Sequence, residues 1–184
     1  MRQEGGEPLP LDVLDSAAVA SLGTRLGDRA VDIAILNAGV FGPRVNATTA
    51  PGDDEFDQVM RTNVRAPMQL LSVLAPRLAA SRGKVAVVSS KMGSMSLMSS
   101  SSGWLYRSSK AAVNAAVKCA SLELGPRGVV CVAFHPGWVK TDMGGAGADI
   151  DVVTSVAGMR RVLAAANESH NGKFLNYSGE QLSW

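Results

Sequence analysis

Three short runs in this chain are almost continuously apolar: "VDIAIL" (31–36), "KVAVVS" (84–89) and "VVCVAF" (129–134). They lack the alternation of a strand with one wet face. They suit strands covered on both sides, as in a parallel sheet. A fourth run, "KFLNY" (173–177), follows later. Helical stretches lie between them. Residues 53–80 run from acidic "DDEFDQVM" through "LLSVLAPRL", with Pro67 and Pro76 placed to bend or end the helix. Residues 106–124 are rich in Ala and stop at "GPRG". Residues 151–166 form a third helix with an acidic start. Strand and helix alternate, so the expected fold is α/β with a mostly parallel sheet.

A chain of 184 residues with 46% hydrophobic and 18% charged residues holds one domain with a sizeable core. Its net charge of +2, with no Lys/Arg cluster, argues against nucleic-acid and membrane-surface partners. No apolar run is long enough to cross a bilayer, and "MRQEGGEPLP" has no apolar stretch of the signal-peptide kind. Cys119 and Cys131 lack metal-ligand spacing and are expected to be buried, reduced thiols of a cytoplasmic protein. There is no internal repeat. The segment Ser89 to Gly103, "SSKMGSMSLMSSSSG", reads as a loop.

Ligands of open α/β sheets bind beyond the carboxyl ends of the strands. Polar residues follow the apolar runs in that position: Asn37-Ala38-Gly39 after the first, Ser89-Ser90 after the second, and "HPGWVKT" after the third. "YRSSK", Tyr106 to Lys110, opens the helix after the Ser-rich loop. Residues i and i+4 share a helix face, and an ammonium beside a phenol favours the phenolate. Taken alone, such a pair fits an accidental surface contact better than chemistry. Ser90 could hydrogen-bond a reacting oxygen or cap its own backbone, and Ser89 and Ser94 are rivals. Gly39 removes a Cβ barrier to a ligand, or simply makes a good turn. Thr141 could donate to a ligand amide or cap the next segment. Asn63 lies in a helical pattern that Asn disfavours, where it could bond a water or bend the helix. His135 and His170 read as structural or exposed. Met92, Met95, Trp104, Trp138 and Met143 are candidates for a partly apolar pocket. Ala111, Ala112, Ala115 and Ala116 would let a second helix approach, as in a homodimer, or pack on the chain's own sheet.

The order of these elements resembles the short-chain dehydrogenase/reductase family over nearly the whole chain. Its carriers are Asp12-Val13, Asn37-Ala38-Gly39, Asn63, Ser89-Ser90, Tyr106-x-x-x-Lys110 and Pro136-Gly137 through Thr141. The stretches "GWLYRSSKAAVN", "HPGWVKTDMGG" and "GKFLNYSGEQLSW" are similar to the C-factor subgroup and to sniffer-type carbonyl reductases. The resemblance implies a Rossmann-like, doubly wound parallel sheet. It also implies an oxidoreductase moving a hydride between NAD or NADP and a small carbonyl or alcohol substrate. Tyr106 would be the general acid/base, and Lys110 would lower its pKa and hold the nicotinamide ribose. Ser90 would orient the substrate oxygen, and Asn63 would hold a proton-relaying water. Asp12 and Val13 would contact adenine. Asn37, Ala38 and Gly39 would lie beside the ribose, and Pro136, Gly137, Val139 and Thr141 would hold the carboxamide.

Two departures follow. Ser90 to Tyr106 spans more residues than in many family members, which leaves Ser94 open. The family's first βαβ unit, with its Gly-rich turn for the pyrophosphate, has no counterpart here, so the chain reads as N-terminally truncated. Without strands 1 and 2 of the family order, "VDIAIL" is expected to be an apolar sheet edge. A C-factor-like signalling or binding protein without catalysis is the alternative function.

Overall fold

The computed structural model describes residues 6–184. Four strands form one parallel sheet: β1 (Ile33–Leu36), β2 (Lys84–Val88), β3 (Val130–His135) and β4 (Lys173–Asn176). They lie in the order β1-β2-β3-β4, each paired with its neighbour in sequence. The helices α1 (Ser16–Leu26), α2 (Asp53–Met60), α3 (Ala66–Ser81), α4 (Trp104–Leu124) and α5 (Val152–Ala165) supply the crossovers and covers. The architecture is the Rossmann-like doubly wound fold, and the expected strands are present within a residue or two of their bounds.

Alternation along the strands sends side chains to two layers. On one face Val85, Val87, Cys131, Ala133 and Phe174 pack with Leu71, Leu74 and Leu78 of α3 and Val113 and Val117 of α4. Val19 and Leu22 of α1 close that layer. On the other face Ala86, Val132, Phe134 and Leu175 pack with Leu163 of α5. That second layer stops short of β1, where Ile33 and Ile35 are each 51% exposed. The apolar edge expected from "VDIAIL" is therefore present.

The opposite edge is closed by the chain itself. After a turn at Gly179 (φ 101°), the tail runs back along β4. Asn176 donates its N–H to the Glu180 carbonyl (2.7 Å), and Leu182 donates to the Phe174 carbonyl (2.8 Å). Trp184 stacks on Phe174 at 5.5 Å between ring centroids.

Several local expectations needed correction. The helix α1 is additional; its signals are the cap Asp15, which accepts from Ala17 and Ala18, and Gly27 at its end. Pro67 closely follows the π-helical turn Arg61–Arg65 in a helical run that continues unbroken from α2, and Pro76 lies inside α3 without ending it. Cys131 is buried as expected, whereas Cys119 is exposed. Val113, Val117, Ser121 and Leu124 set the buried face of α4, and Cys119 falls outside that stripe. Ala115 is exposed, and Ala111, Ala112 and Ala116 are half-buried on the helix flank. Among the described residues, no helix is long and apolar enough to cross a membrane, and no cluster of His, Cys, Asp or Glu could hold a metal.

Candidate active site

The carboxyl ends of β1 and β2 and the first turns of α4 converge. Gly103, in the left-handed region (φ 66°), starts α4 and sets Tyr106 in its first turn. Tyr106 is only 6% exposed. Its ring stacks on Phe41 (4.5 Å between centroids, 15° between planes), and the Arg44 guanidinium lies 4.3 Å over Phe41. Arg44 also donates to the Met143 carbonyl (2.9 Å), tying the loop after β1 to the loop after β3.

One helical turn on, the Lys110 Nζ lies 5.6 Å from the Tyr106 ring centroid and donates to the Val88 carbonyl at 2.9 Å. Burial lowers the Lys110 pKa to about 8. The phenol moves the other way from the sequence expectation. Burial raises its pKa, and the neighbouring Ser90 hydroxyl pulls it back. The ammonium is turned to a backbone carbonyl, so desolvation of the phenolate dominates.

Asn63 joins the two halves of this cluster. It lies in a π-helical turn (Arg61–Arg65) between α2 and α3, a widened turn of a kind frequent at functional sites. Its Nδ2 donates to the Val40 carbonyl (2.8 Å) and the Ser109 hydroxyl (2.9 Å). Its Oδ1 accepts from the Val40 N–H (2.9 Å). Its side chain is spent on these protein partners. Gly39 brings the backbone close here: a Cβ on it would lie 3.4 Å from both Asn63 Oδ1 and Lys110 Nζ.

The three serines separate cleanly. Ser90 faces the Tyr106 phenol and accepts from the Met92 N–H (3.1 Å). The Ser89 hydroxyl donates to Asn114 Oδ1 (2.6 Å). Ser94 is fully buried and accepts from the Leu97 N–H (3.2 Å). Gly93 allows this loop to touch α4, since a Cβ there would lie 2.6 Å from the Lys110 backbone.

The remaining predicted residues line the approach. Val13, Ile35, Leu36, Asn37 and Ala38 border a groove of about 280 Å³ beside the open edge of β1. Asp12 spends its carboxylate on the Leu14 N–H (2.9 Å). After β3, the Pro136 carbonyl accepts from the Ser155 hydroxyl (2.6 Å), Gly137 adopts φ 87°, and Val139 pairs with Ile150. Thr141 accepts from the Gly144 N–H (3.2 Å) and so caps its own loop. Of the candidate pocket residues, Trp138 lines a cavity at the ends of β3 and β4, whereas Met95 is 73% exposed. His135 and Asn176 line that cavity too. Phe41 stacked on the phenol, Arg44 over Phe41, and Asn176 carry no local sequence signal of their own. His135, expected to be structural or exposed, is part of the cavity lining.

A fold of this topology, with Tyr and Lys one turn apart beneath a Ser at a strand end, defines a class. The family model for short chain dehydrogenase matches residues 7–152, and the chain belongs to that family. Among curated proteins it is similar to the C-signal of Myxococcus xanthus, at 40% identity over 158 residues, covering 84% of this chain and 93% of that protein. Among solved structures it is similar to the carbonyl reductase Sniffer of D. melanogaster. The TM-score there is 0.90 at 31% identity, over 96% of this chain and 77% of that one. An NADPH-bound carbonyl reductase from chicken fatty liver gives 0.84 at 34% identity, over 95% and 76%.

Proposed function

We propose that this protein is a carbonyl reductase or alcohol dehydrogenase that uses NAD or NADP, with residues 1–184 forming one partial Rossmann unit. The observation that carries the reading is the buried cluster in which Ser90 lies beside the Tyr106 phenol while Lys110 lies one helical turn behind it. Two similar carbonyl reductases were crystallised with NADPH or NADP.

The residues present suit the nicotinamide and ribose half of such a cofactor. Asn37 and Ala38 are exposed at the end of β1, and Gly39 leaves room above Asn63 and Lys110. The Pro136–Thr141 backbone is braced by Ser155 and Ile150. Val13 at the groove suits an adenine ring, with Asp12 beside it. Among the described residues, no strand with a Gly-rich turn precedes β1. The bound cofactor supplies the hydride, which no side chain can give.

The chain's own residues move the proton. Tyr106, kept protonated by its burial, donates from its phenol oxygen to the carbonyl oxygen during reduction and takes the proton back during oxidation. The Ser90 hydroxyl donates to the same substrate oxygen and holds it against the phenol. Lys110, whose pKa burial lowers to about 8, favours the phenolate once its Nζ leaves the Val88 carbonyl. Asn63 fixes the Val40 backbone and, through Ser109, the first turn of α4. A water held there would complete a proton path to Lys110. Two free thiols fit a cytoplasmic setting, and the small residues on the flank of α4 suit a homodimer.

The test is consumption of NADPH or NADH with a panel of aldehydes, ketones and quinones. Tyr106→Phe is expected to lower turnover by about 10²–10⁴-fold. Turnover unchanged by that substitution would remove Tyr106 from its role.

A second reading is a binding or signalling protein without turnover, favoured by the likeness to the C-signal. It is separated by titrating NADPH fluorescence. No binding at millimolar protein favours this reading, and saturable binding favours the enzyme.

A further inference from the structure

Three flat groups are stacked at the proton donor of the site. The Tyr106 ring lies 4.5 Å from the Phe41 ring at 15° between planes, and the Arg44 guanidinium lies 4.3 Å from the Phe41 centroid. A ring has two faces, and two groups this close to one centroid need one each. Phe41 is therefore held between a phenol and a cation. The face of an aromatic ring is electron-rich, so a guanidinium is an attractive cover for it.

The backbone is shaped for this stack. The loop after β1 turns at Gly42 (φ 74°), where a Cβ would lie 2.5 Å from Val59 Cγ2. Beyond the turn, the Val45 carbonyl accepts from the Gly103 N–H (2.9 Å), which ties this loop to the start of α4. Gly103 also admits the ring, since a Cβ there would lie 2.9 Å from Phe41 Cζ. Arg44 reaches further and donates to the Met143 carbonyl (2.9 Å). One side chain thus holds both the stack and the loop after β3. Its planar fork lets it stack and donate in one pose, which a lysine ammonium does not.

Two properties of the phenol depend on this arrangement. Proton transfer needs the donor at a set distance and angle, and small displacements cost rate. The second side-chain torsion of a tyrosine is soft, so a ring pressed on a fixed neighbour is better aimed than a free one. Phe41 also covers one face of the Tyr106 ring and keeps water from it. That cover is part of the burial that raises the phenol pKa.

We propose that Phe41 and Arg44 are positioning residues for proton transfer. Phe41 fixes the plane of the Tyr106 ring and shields it from water, and Arg44 clamps Phe41 from the far side and ties the stack to the loop after β3. Both act through Tyr106, so the inference rests on the reading of that phenol as the acid/base.

The chain has two tyrosines, so Tyr177→Phe leaves Tyr106 as the sole phenol. In that background phenolate formation is followed by ultraviolet absorbance against pH, with circular dichroism confirming the fold at each point. The titration needs neither cofactor nor substrate. Phe41→Ala is expected to move the phenolate midpoint to lower pH, toward the ordinary value of 10.0, and to remove the ring-current shift from the Tyr106 ring protons in NMR. Arg44→Met, at an exposed position, is expected to move both signals the same way by less. In turnover, Phe41→Ala is expected to lower kcat by about 10–10²-fold while KM changes by less than about threefold. Arg44→Met is expected to lower kcat several-fold. Added to Tyr106→Phe, neither substitution is expected to lower kcat further. A phenolate midpoint that stays in place or rises in Phe41→Ala would overturn the proposal, whatever the turnover. So would kcat within about twofold of the parent in both variants, or losses that add in full to that of Tyr106→Phe. Full turnover in Tyr106→Phe is the separate result that removes the acid/base reading, and this inference with it.

Discussion

The two edges of the sheet are finished differently. At β4 the chain turns at Gly179 and runs its own tail along the strand, with Trp184 stacked on Phe174. At β1, among the described residues, no strand pairs outside Ile33–Leu36, and two isoleucines stand half in solvent. An unpaired apolar edge is a template for another strand. The difference shows where the fold is self-sufficient. The half that holds Tyr106, Ser90 and Lys110 is enclosed by α3, α4 and the loops after β2 and β3. The half beside Asn37 and Ala38 opens on a groove.

The comparison can be broken most forcefully at the closed edge. Phe174 is fully buried, and Phe174→Ala removes the seat of Trp184 together with core volume. It is expected to cost about 3–5 kcal/mol in urea unfolding. A loss below about 1 kcal/mol would mean that the tail does not hold this edge.

A middle-sized effect concerns pH beside that edge. His135 has its folded pKa lowered from 6.5 to about 4 by burial, with Lys91 adding to the shift. The unfolded chain therefore binds more protons between those values, and stability falls as pH drops from 6.5 to 4. The loss is on the order of 3 kcal/mol, complete below the folded pKa and absent above the unfolded one. His135→Phe is expected to flatten this part of the stability profile. An unchanged slope would assign the acid sensitivity to other groups.

The smallest effect is expected at the open edge. Ile35→Lys places a charge on a half-exposed position, so it should cost under about 1 kcal/mol and reduce self-association in sedimentation. A loss above about 2 kcal/mol would show that something covers β1 in solution.

Much of this fold is legible in the order of residues, and the reason is local. Continuous Val/Ile/Ala runs between amphipathic stretches leave few choices, so the strands stand within a residue or two of the expected bounds. The pair Tyr106 and Lys110 was legible because the helix period alone brings them together. What needed three dimensions was every choice made by a distant partner. Ser90, Ser89 and Ser94 look alike in sequence; Asn114, Leu97 and Tyr106 separate them. The sign of the Tyr106 shift depended on burial and on Val88 drawing Lys110 away. His135 and Asn176 meet only through the register of β3 on β4, which no local pattern announces. Pro76 stays inside α3 because that helix packs Leu71, Leu74 and Leu78 on the sheet, and tertiary packing outweighs local propensity.

The central claim is that this enclosed cluster directs hydride to a carbonyl carbon while Tyr106 moves the proton. The direct measurement follows deuterium from each of the two C4-deuterated forms of NADPH into the product alcohol by mass spectrometry. The expected result is label at the carbinol carbon from one form alone, with product formation falling by about 10²–10⁴-fold in Tyr106→Phe. Product without label, or product formed at the same rate by Tyr106→Phe, would contradict the account.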